Sequence, residues 1–198
     1  DMERDKIKLP VDKNGAPDFP CMETYIDIEI KKTQMFIQEI DAGLSKNRKP
    51  IEIQHWGSFR LEELFDIVKG SRLTKADMKE GNIRYIGASS FNNGITAYIG
   101  NDEQIHPANT LTVCYNGSDI GRTFYQSEPY WATDDVNVMY PKFEMNEDIA
   151  LFFAPIIKCV GGLHEYDDKW KLEDMKQDII KLPVKADGTP DFTYMESY

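Results

Sequence analysis

DMERDKIKLPVDKNGAPDFPCMETY, residues 1–25, returns at 174–198 as DMKQDIIKLPVKADGTPDFTYMESY, the two stretches agreeing at 15 of 25 positions without a gap. The offset of 173 residues is far beyond the units of roughly 20–50 residues that build a solenoid. It implies a large duplicated module, of the form spacer, domain, spacer, domain. The second copy stops at Tyr198, where the first runs on into a helix, so the chain reads as a piece of a longer protein.

That helix is written in its spacing. Asp18 stands at the N-cap position, and Pro20 falls in the first turn, where its missing N–H does no harm. Beyond it Ile26, Ile30, Thr33, Ile37, Ile40 and Leu44 recur at alternating intervals of four and three, flanked by Glu29, Lys31, Lys32 and Glu39. From Pro20 to Leu44 the element would be about 37 Å long, too long for the following domain to bury whole. Two readings stand: a coiled-coil spacer packing through Ile26, Ile30, Ile37, Ile40 and Leu44 against the helix of another module, or a long amphipathic helix folded onto its own domain.

After 45–50 the pattern changes to short β-prone runs punctuated by Gly and Asn: 84–86, 95–99, 110–115, 123–126 and 136–140. Asn92-Asn93-Gly94 is a turn signal, because Asn and Gly tolerate the positive φ of tight turns. Residues 58–65 read as a short helix or turn leading into a strand at 66–68. Residues 146–153 read as a helix, with Asn146 as cap and Glu147 and Asp148 in its first turn. The fold class is α+β: a spacer with a long helix (about 20–44) at 1–49, a β-rich domain at 50–173, and the start of a second spacer at 174–198.

Composition bounds the rest. The 198 residues are 41% hydrophobic and 12% aromatic, enough for a core. Cys21, Cys114 and Cys159 are scattered and odd in number; with no signal peptide and no apolar run of membrane-spanning length, a reducing cytoplasm is expected. The net charge of −11 opposes a polyanionic partner. Its distribution does not: 67–100 holds Lys69, Arg72, Lys75, Lys79 and Arg84 against Asp77 and Glu80, whereas 127–178 carries twelve acidic residues against five basic ones.

The stretch LEELFDIVKGSRLTKADMKEGNIRYIGASSFNNGITAYIG (61–100) resembles the target recognition domains of type I restriction-modification specificity subunits. LTVCYNGSDIGRTFYQSEPYWATDDVNVM (111–139) is similar to that family's glycine-bracketed β-loop and aromatic strand, and the repeat resembles its spacers and those of related single-chain restriction enzymes. The resemblance covers nearly the whole chain. It implies a β-rich recognition domain that reads half of a split double-stranded DNA site in the major groove and directs partner subunits, a methyltransferase and a restriction subunit, with a second recognition module or second copy joined through the spacer helices. The chain itself would be no enzyme and need no cofactor or metal.

Carried over residue by residue, Lys69, Ser71, Arg72 and Lys75 form the basic set, with Arg72 suited to a bidentate guanine contact. Ser89, Ser90, Asn92 and Asn93 form a second set, and Asn116, Ser118 and Arg122 a third; Tyr85 and Tyr115 stand beside them. Each set has a plainer alternative: a solvated turn, a hairpin turn, and core aromatics. One stretch departs from the family: Tyr166-Asp167-Asp168-Lys169-Trp170 places two carboxylates where a basic step is frequent.

Enzymatic alternatives fare worse. Residues 117–123 (GSDIGRT) have three residues between glycines and Arg for the lysine of a phosphate loop. There is no Rossmann-like alternation for a methyltransferase. Asp134-Asp135 and Asp167-Asp168-Lys169 are weak candidates for a metal nuclease, and His55, His106, His164 and Cys159 lack ligand spacing. A β-rich protein-interaction or carbohydrate-binding module, with Trp56, Tyr130 and Trp131 on a ligand face, is the competing class.

Overall fold

A computed structural model describes residues 9–45, 56–164 and 169–197, which fall into two units, Asp1–Pro50 and Ile51–Tyr198. In the first, a short turn leads into α1 (Phe19–Ser45). The Asp18 carboxylate accepts the Cys21 N–H at 3.0 Å, the N-cap bond expected of it. Ile26, Ile30 and Ile37 are about half exposed (54, 48 and 52%), so within this unit the seam is unburied. The Ile40 and Leu44 side chains lie outside the described residues.

The second unit is built in layers. Strands β1 (Trp56–Arg60) and β2 (Phe65–Lys69) flank a single helical turn, α2 (Leu61–Leu64). There follow β3 (Ile83–Ile86), β4 (Ile95–Ile99), β5 (Thr110–Cys114), β6 (Thr123–Gln126), β7 (Tyr130–Ala132) and β8 (Val136–Pro141). Helices α3 (Glu147–Gly161) and α4 (Leu172–Gln177), strand β9 (Ile179–Pro183) and α5 (Phe192–Glu196) complete the chain. One sheet runs β2-β8-β5-β6, a second β4-β3-β7, and β1 pairs with β9.

Side chains alternate across a strand with period two, and here both faces of the four-stranded sheet are covered. Ile67, Leu111, Val113 and Met139 share one core with Ile149, Phe153 and Ile157 of α3. Val136 and Val138 pack instead with Ile86, Tyr130 and Ala132 of the smaller sheet. A third cluster, Tyr85, Ile99 and Trp131, fills the far side of the smaller sheet with Leu73 and Met78.

Most expected strands form, but three features differ. Ser58 to Arg60 belong to β1, leaving only Leu61–Leu64 helical. Helix α3 continues past Phe153 to Gly161 in spite of Pro155, because its apolar face remains seated in the core. Residues 174–197 do not stand apart as a spacer: β9 pairs antiparallel with β1, and Met175, Ile180, Leu182 and Met195 join the same core as Leu61 and Phe153.

The repeat in sequence is a repeat in geometry. Val11 bridges Pro17 as Val184 bridges Pro190. Gly15 and Gly188 take φ of 80° and 83°, values at which a Cβ would be strained. Asp18 N–H donates to Pro10 O at 2.9 Å, and Asp191 N–H to Pro183 O at 2.8 Å. Asp191 then caps α5 through Tyr194 N–H at 3.1 Å, matching Asp18. Burial separates the copies: Leu182 is fully buried and Phe192 stacks on Phe143 at 4.3 Å, whereas their counterparts Leu9 and Phe19 are 44% and 69% exposed.

Two expectations follow for stability. Leu182→Ala should cost about 2–5 kcal/mol, the range for truncating a buried leucine, while Leu9→Ala should cost less than about 1 kcal/mol; urea denaturation of the two variants measures both. His106 is buried, its Nδ1 2.6 Å from the Tyr140 hydroxyl, and burial holds its imidazole below the ordinary value of 6.5. Below about pH 6.5 the unfolded chain therefore binds a proton that the folded chain refuses, and stability falls with pH until the folded value is reached. Exposed carboxylates lose their contribution only near about pH 4, so a urea-midpoint profile from pH 7 to 5 should be flatter in His106→Gln.

Candidate nucleic-acid interface

Register gathers the site. Lys69, the last residue of β2, lies opposite Asn137, and Cys114, the last of β5, lies opposite Val136. The segments that follow β2 and β5 therefore leave the same end of the sheet at which β8 enters. The basic stretch 69–75, the loop 115–122 and the turn 133–135 share that end.

The basic stretch is held by its backbone. Gly70 N–H donates to Val136 O at 2.9 Å and Ser71 N–H to Ala132 O at 2.8 Å, while Trp131 Nε1 donates to Ser71 O at 2.8 Å. Gly70 approaches so closely that a Cβ there would sit 2.1 Å from Thr133 O. Tyr85 is buried, and its hydroxyl donates to Leu73 O at 3.1 Å; it supports the stretch from beneath and has no surface to offer a duplex. The Ser71 hydroxyl turns to Gln104 at 3.4 Å. Arg72 and Lys75 point into solvent and, among the described residues, form no ion pair. Lys69 lies 5.3 Å from the centre of the Tyr115 ring. The Tyr115 hydroxyl, then the Asp134 and Asp135 carboxylates, hold its ammonium above the usual lysine range. Lys79 and Arg84 pair with Glu103 at 3.0 Å and Glu128 at 2.7 Å.

The loop after β5 closes against α3 at its far end. Gly121, at φ 81°, abuts Gly161 of α3, where a Cβ would lie 2.4 Å from the Gly121 Cα. Residues 117–119 form a 3-10 turn capped by the Asn116 side chain, whose Oδ1 accepts Gly117 N–H at 2.9 Å; it is a turn and not a phosphate loop. Asn116 Nδ2 reaches Asp135 at 3.4 Å, and Arg122 reaches Asp119 at 3.4 Å. The Ser90 hydroxyl, more than Arg122, holds the Asp119 carboxyl below its ordinary range. The Ser118 side chain lies outside the described residues.

The third segment, 89–94, carries left-handed backbone at Asn92, Asn93 and Gly94 (φ 51°, 53° and 77°). Phe91 N–H donates to the Ser89 hydroxyl at 3.3 Å, and Gly94 N–H to Phe91 O at 3.0 Å. Asn93 Nδ2 donates to Tyr125 O at 2.8 Å, and Gln126 Nε2 to Asn93 O at 3.1 Å. The Asn93 amide is thus turned inward to β6, while Asn92 is exposed and donates to Ile95 O at 3.3 Å. Tyr115 is half buried, its hydroxyl bonded to Asp134 O at 2.6 Å.

The three sets therefore sit together, but unequally. Arg72, Lys75 and Asn92 are outward; Ser89, Ser90, Asn116 and Arg122 are half buried; Tyr85 and Asn93 serve the scaffold. Sequence reasoning missed Asp119, Asp134 and Asp135 as neighbours, since only strand register brings them there. Residues 165–168, which include the two departing carboxylates, lie outside the described residues; Trp170 is buried and its N–H donates to Tyr115 O at 3.0 Å. Among the described residues no group of three His, Cys, Asp or Glu side chains is placed to hold a metal, and no helix is long and apolar enough to cross a membrane. Tyr130 and Trp131, offered above for a ligand face, are buried at 0% and 4% exposure.

Comparison with known proteins places the chain in a family. A family model described as the type I restriction modification DNA specificity domain matches residues 53–198. The type II restriction enzyme BgcI specificity subunit S.BcgI of Heyndrickxia coagulans is 36% identical over 194 residues, 98% of this chain and 56% of that protein. The chain thus spans about half the length of this curated relative. The type I restriction-modification S subunit from M. genitalium superposes with a TM-score of 0.55 at 16% identity, over 73% of this chain and 37% of that one. The HsdS subunit from Thermoanaerobacter tengcongensis gives 0.54 at 11%, over 90% and 46%. At these identities the structures establish the fold.

The scaffold role of Asn93 is testable. Asn93→Gly keeps access to the left-handed conformation and loses the amide bond, for a cost of about 1 kcal/mol; Asn93→Val adds backbone strain and should cost about 2–4 kcal/mol in all. Equal urea midpoints for the two variants would remove the strain from this account.

Proposed function

The chain belongs to the type I restriction-modification DNA specificity family, and on that premise we propose that it reads a short DNA sequence for a restriction-modification system whose chemistry is done by other subunits. The observation that carries the proposal is the convergence at one sheet end of an exposed basic stretch and the polar loop 115–122, with the 89–94 turn held against β6 nearby. Phosphates are met by long cations and base edges by forked side chains. Arg72 and Lys75 are solvent-facing and, among the described residues, form no ion pair; Asn116 and Arg122 lie on the loop at the same sheet end, and Ser89 lines one cleft with Arg122, Ser90 and Asn92 following it in the turn. The same reading suits the type I family model and the type II curated relative.

The remaining roles follow as parts of this proposal. The chain is non-catalytic and works in the cytoplasm, taking double-stranded DNA as ligand and methyltransferase and restriction subunits as partners. The helix α1 serves as spacer, its seam Ile26, Ile30 and Ile37 packing on a helix of a second recognition module or second copy. A second module is also supported by the repeat, since the first copy exposes Leu9 and Phe19 where the second buries Leu182 and packs Phe192 against a domain.

Retention of a randomised duplex library at two salt concentrations, followed by sequencing, tests the proposal. The expected result is enrichment of a short motif with affinity that falls as salt rises. Arg72→Ala should weaken the selected duplex by about 1–3 kcal/mol and relax one position if it forks a guanine. A uniform loss with a salt slope shallower by about one makes it a phosphate contact. No retention at low salt, even with a cognate methyltransferase present, would overturn sequence reading.

A further inference from the structure

The turn between β3 and β4 displays a side chain that the polar sets leave unexplained. Phe91 is 79% exposed, flanked by Ser89, Ser90 and Asn92. Its support is unusually determined: two successive asparagines and a glycine sit in left-handed backbone, a conformation that few non-glycine residues adopt. Strained backbone of this kind persists only where the surroundings over-determine it. Here the Asn93 and Gln126 amides bond the turn to β6, and Gly87 N–H donates to Gly94 O at 2.9 Å. A Cβ on Gly94 would lie 3.0 Å from Ile86 and 3.4 Å from Phe124, so the turn also sits directly on the sheet. What these constraints hold in place, at the edge of the candidate interface, is an apolar ring in water.

Resting on the DNA-reading proposal above, we propose that Phe91 makes an apolar specificity contact with the 5-methyl group of a thymine. Major-groove base edges are otherwise donors and acceptors, and the thymine methyl is the apolar feature that an aromatic edge can cover. The backbone constraints on the turn suit this role: the segment that carries the ring is already held, which reduces the entropy lost there. Asn92, exposed beside it, supplies a paired donor and acceptor for the adjacent base.

The experiment uses the motif selected by the wild-type chain, with each thymine replaced in turn by deoxyuridine, which removes the methyl and leaves pairing intact. One replacement should weaken wild-type binding about fourfold, the worth of a single methyl group withdrawn from water. The same replacement should leave the affinity of Phe91→Ala unchanged, and Phe91→Ala should bind the thymine duplex no better than wild type binds the uracil one. The exposed position predicts an unchanged urea midpoint for Phe91→Ala, and Phe91→Leu should restore part of the methyl discrimination. A loss on Phe91→Ala that is the same for thymine and uracil duplexes would overturn the methyl contact in favour of stacking between bases or a protein contact. Equal binding by wild type and Phe91→Ala would remove Phe91 from the interface while leaving sequence reading intact. A wild-type chain that selects no motif removes both proposals.

Discussion

Strand β8 is the member on which the other layers depend. It is paired on both edges, by β2 and β5, and covered on both faces, by the α3 layer and by the smaller sheet. Val136 and Val138 face one core, Met139 the other. Slipping its register by one residue would exchange these faces and place Asn137, which is buried beside Met175, in the opposite core. Each such apolar side chain contributes about 1.5–3 kcal/mol by leaving water, so the register is strongly held. It is this register that brings the ends of β2 and β5 together, and with them the segments that carry Arg72, Lys75, Asn116 and Arg122.

An acidic chain can present cations locally if the acids near them are already engaged. Asp119 is paired with Arg122, and Asp135 is bonded by Asn116. Lys79 and Arg84 are paired with Glu103 and Glu128, whereas Arg72 and Lys75, both exposed, form no ion pair among the described residues. Exposed ion pairs of this sort add little stability; their effect here is to decide which cations carry a neighbouring counter-charge. Lys69 is intermediate, lying against the Tyr115 ring and close to Asp134 and Asp135.

The duplicated motif teaches the difference between a local and a tertiary property. Both copies form the same bridge, the same left-handed glycine and the same aspartate cap, because these depend on Asp, Gly and Pro at fixed short intervals. Burial is not local. Leu182 and Met195 are buried because β1 and α3 are there to receive them, and the corresponding face of the first copy, including Leu9 and Phe19, remains exposed within its unit.

The sequence alone determined the elements whose signals are short-ranged: the helix opened by Asp18, the cap at Asn146, strands at 95–99 and 123–126, and the turn at 92–94. It also carried the family, through the order of its segments. It did not disclose β7, three residues long, which pairs parallel to β3 across more than forty residues, nor β9, which pairs with β1 at the far end of the unit. Pairings at that separation depend on which strands are brought close, and no local pattern encodes that. For the same reason the inward turn of Asn93, the burial of Tyr85 and the exposure of Phe91 were decided by tertiary structure: a polar residue in a loop can bond to solvent or to a distant strand, and only the packed sheet settles which partner is within reach.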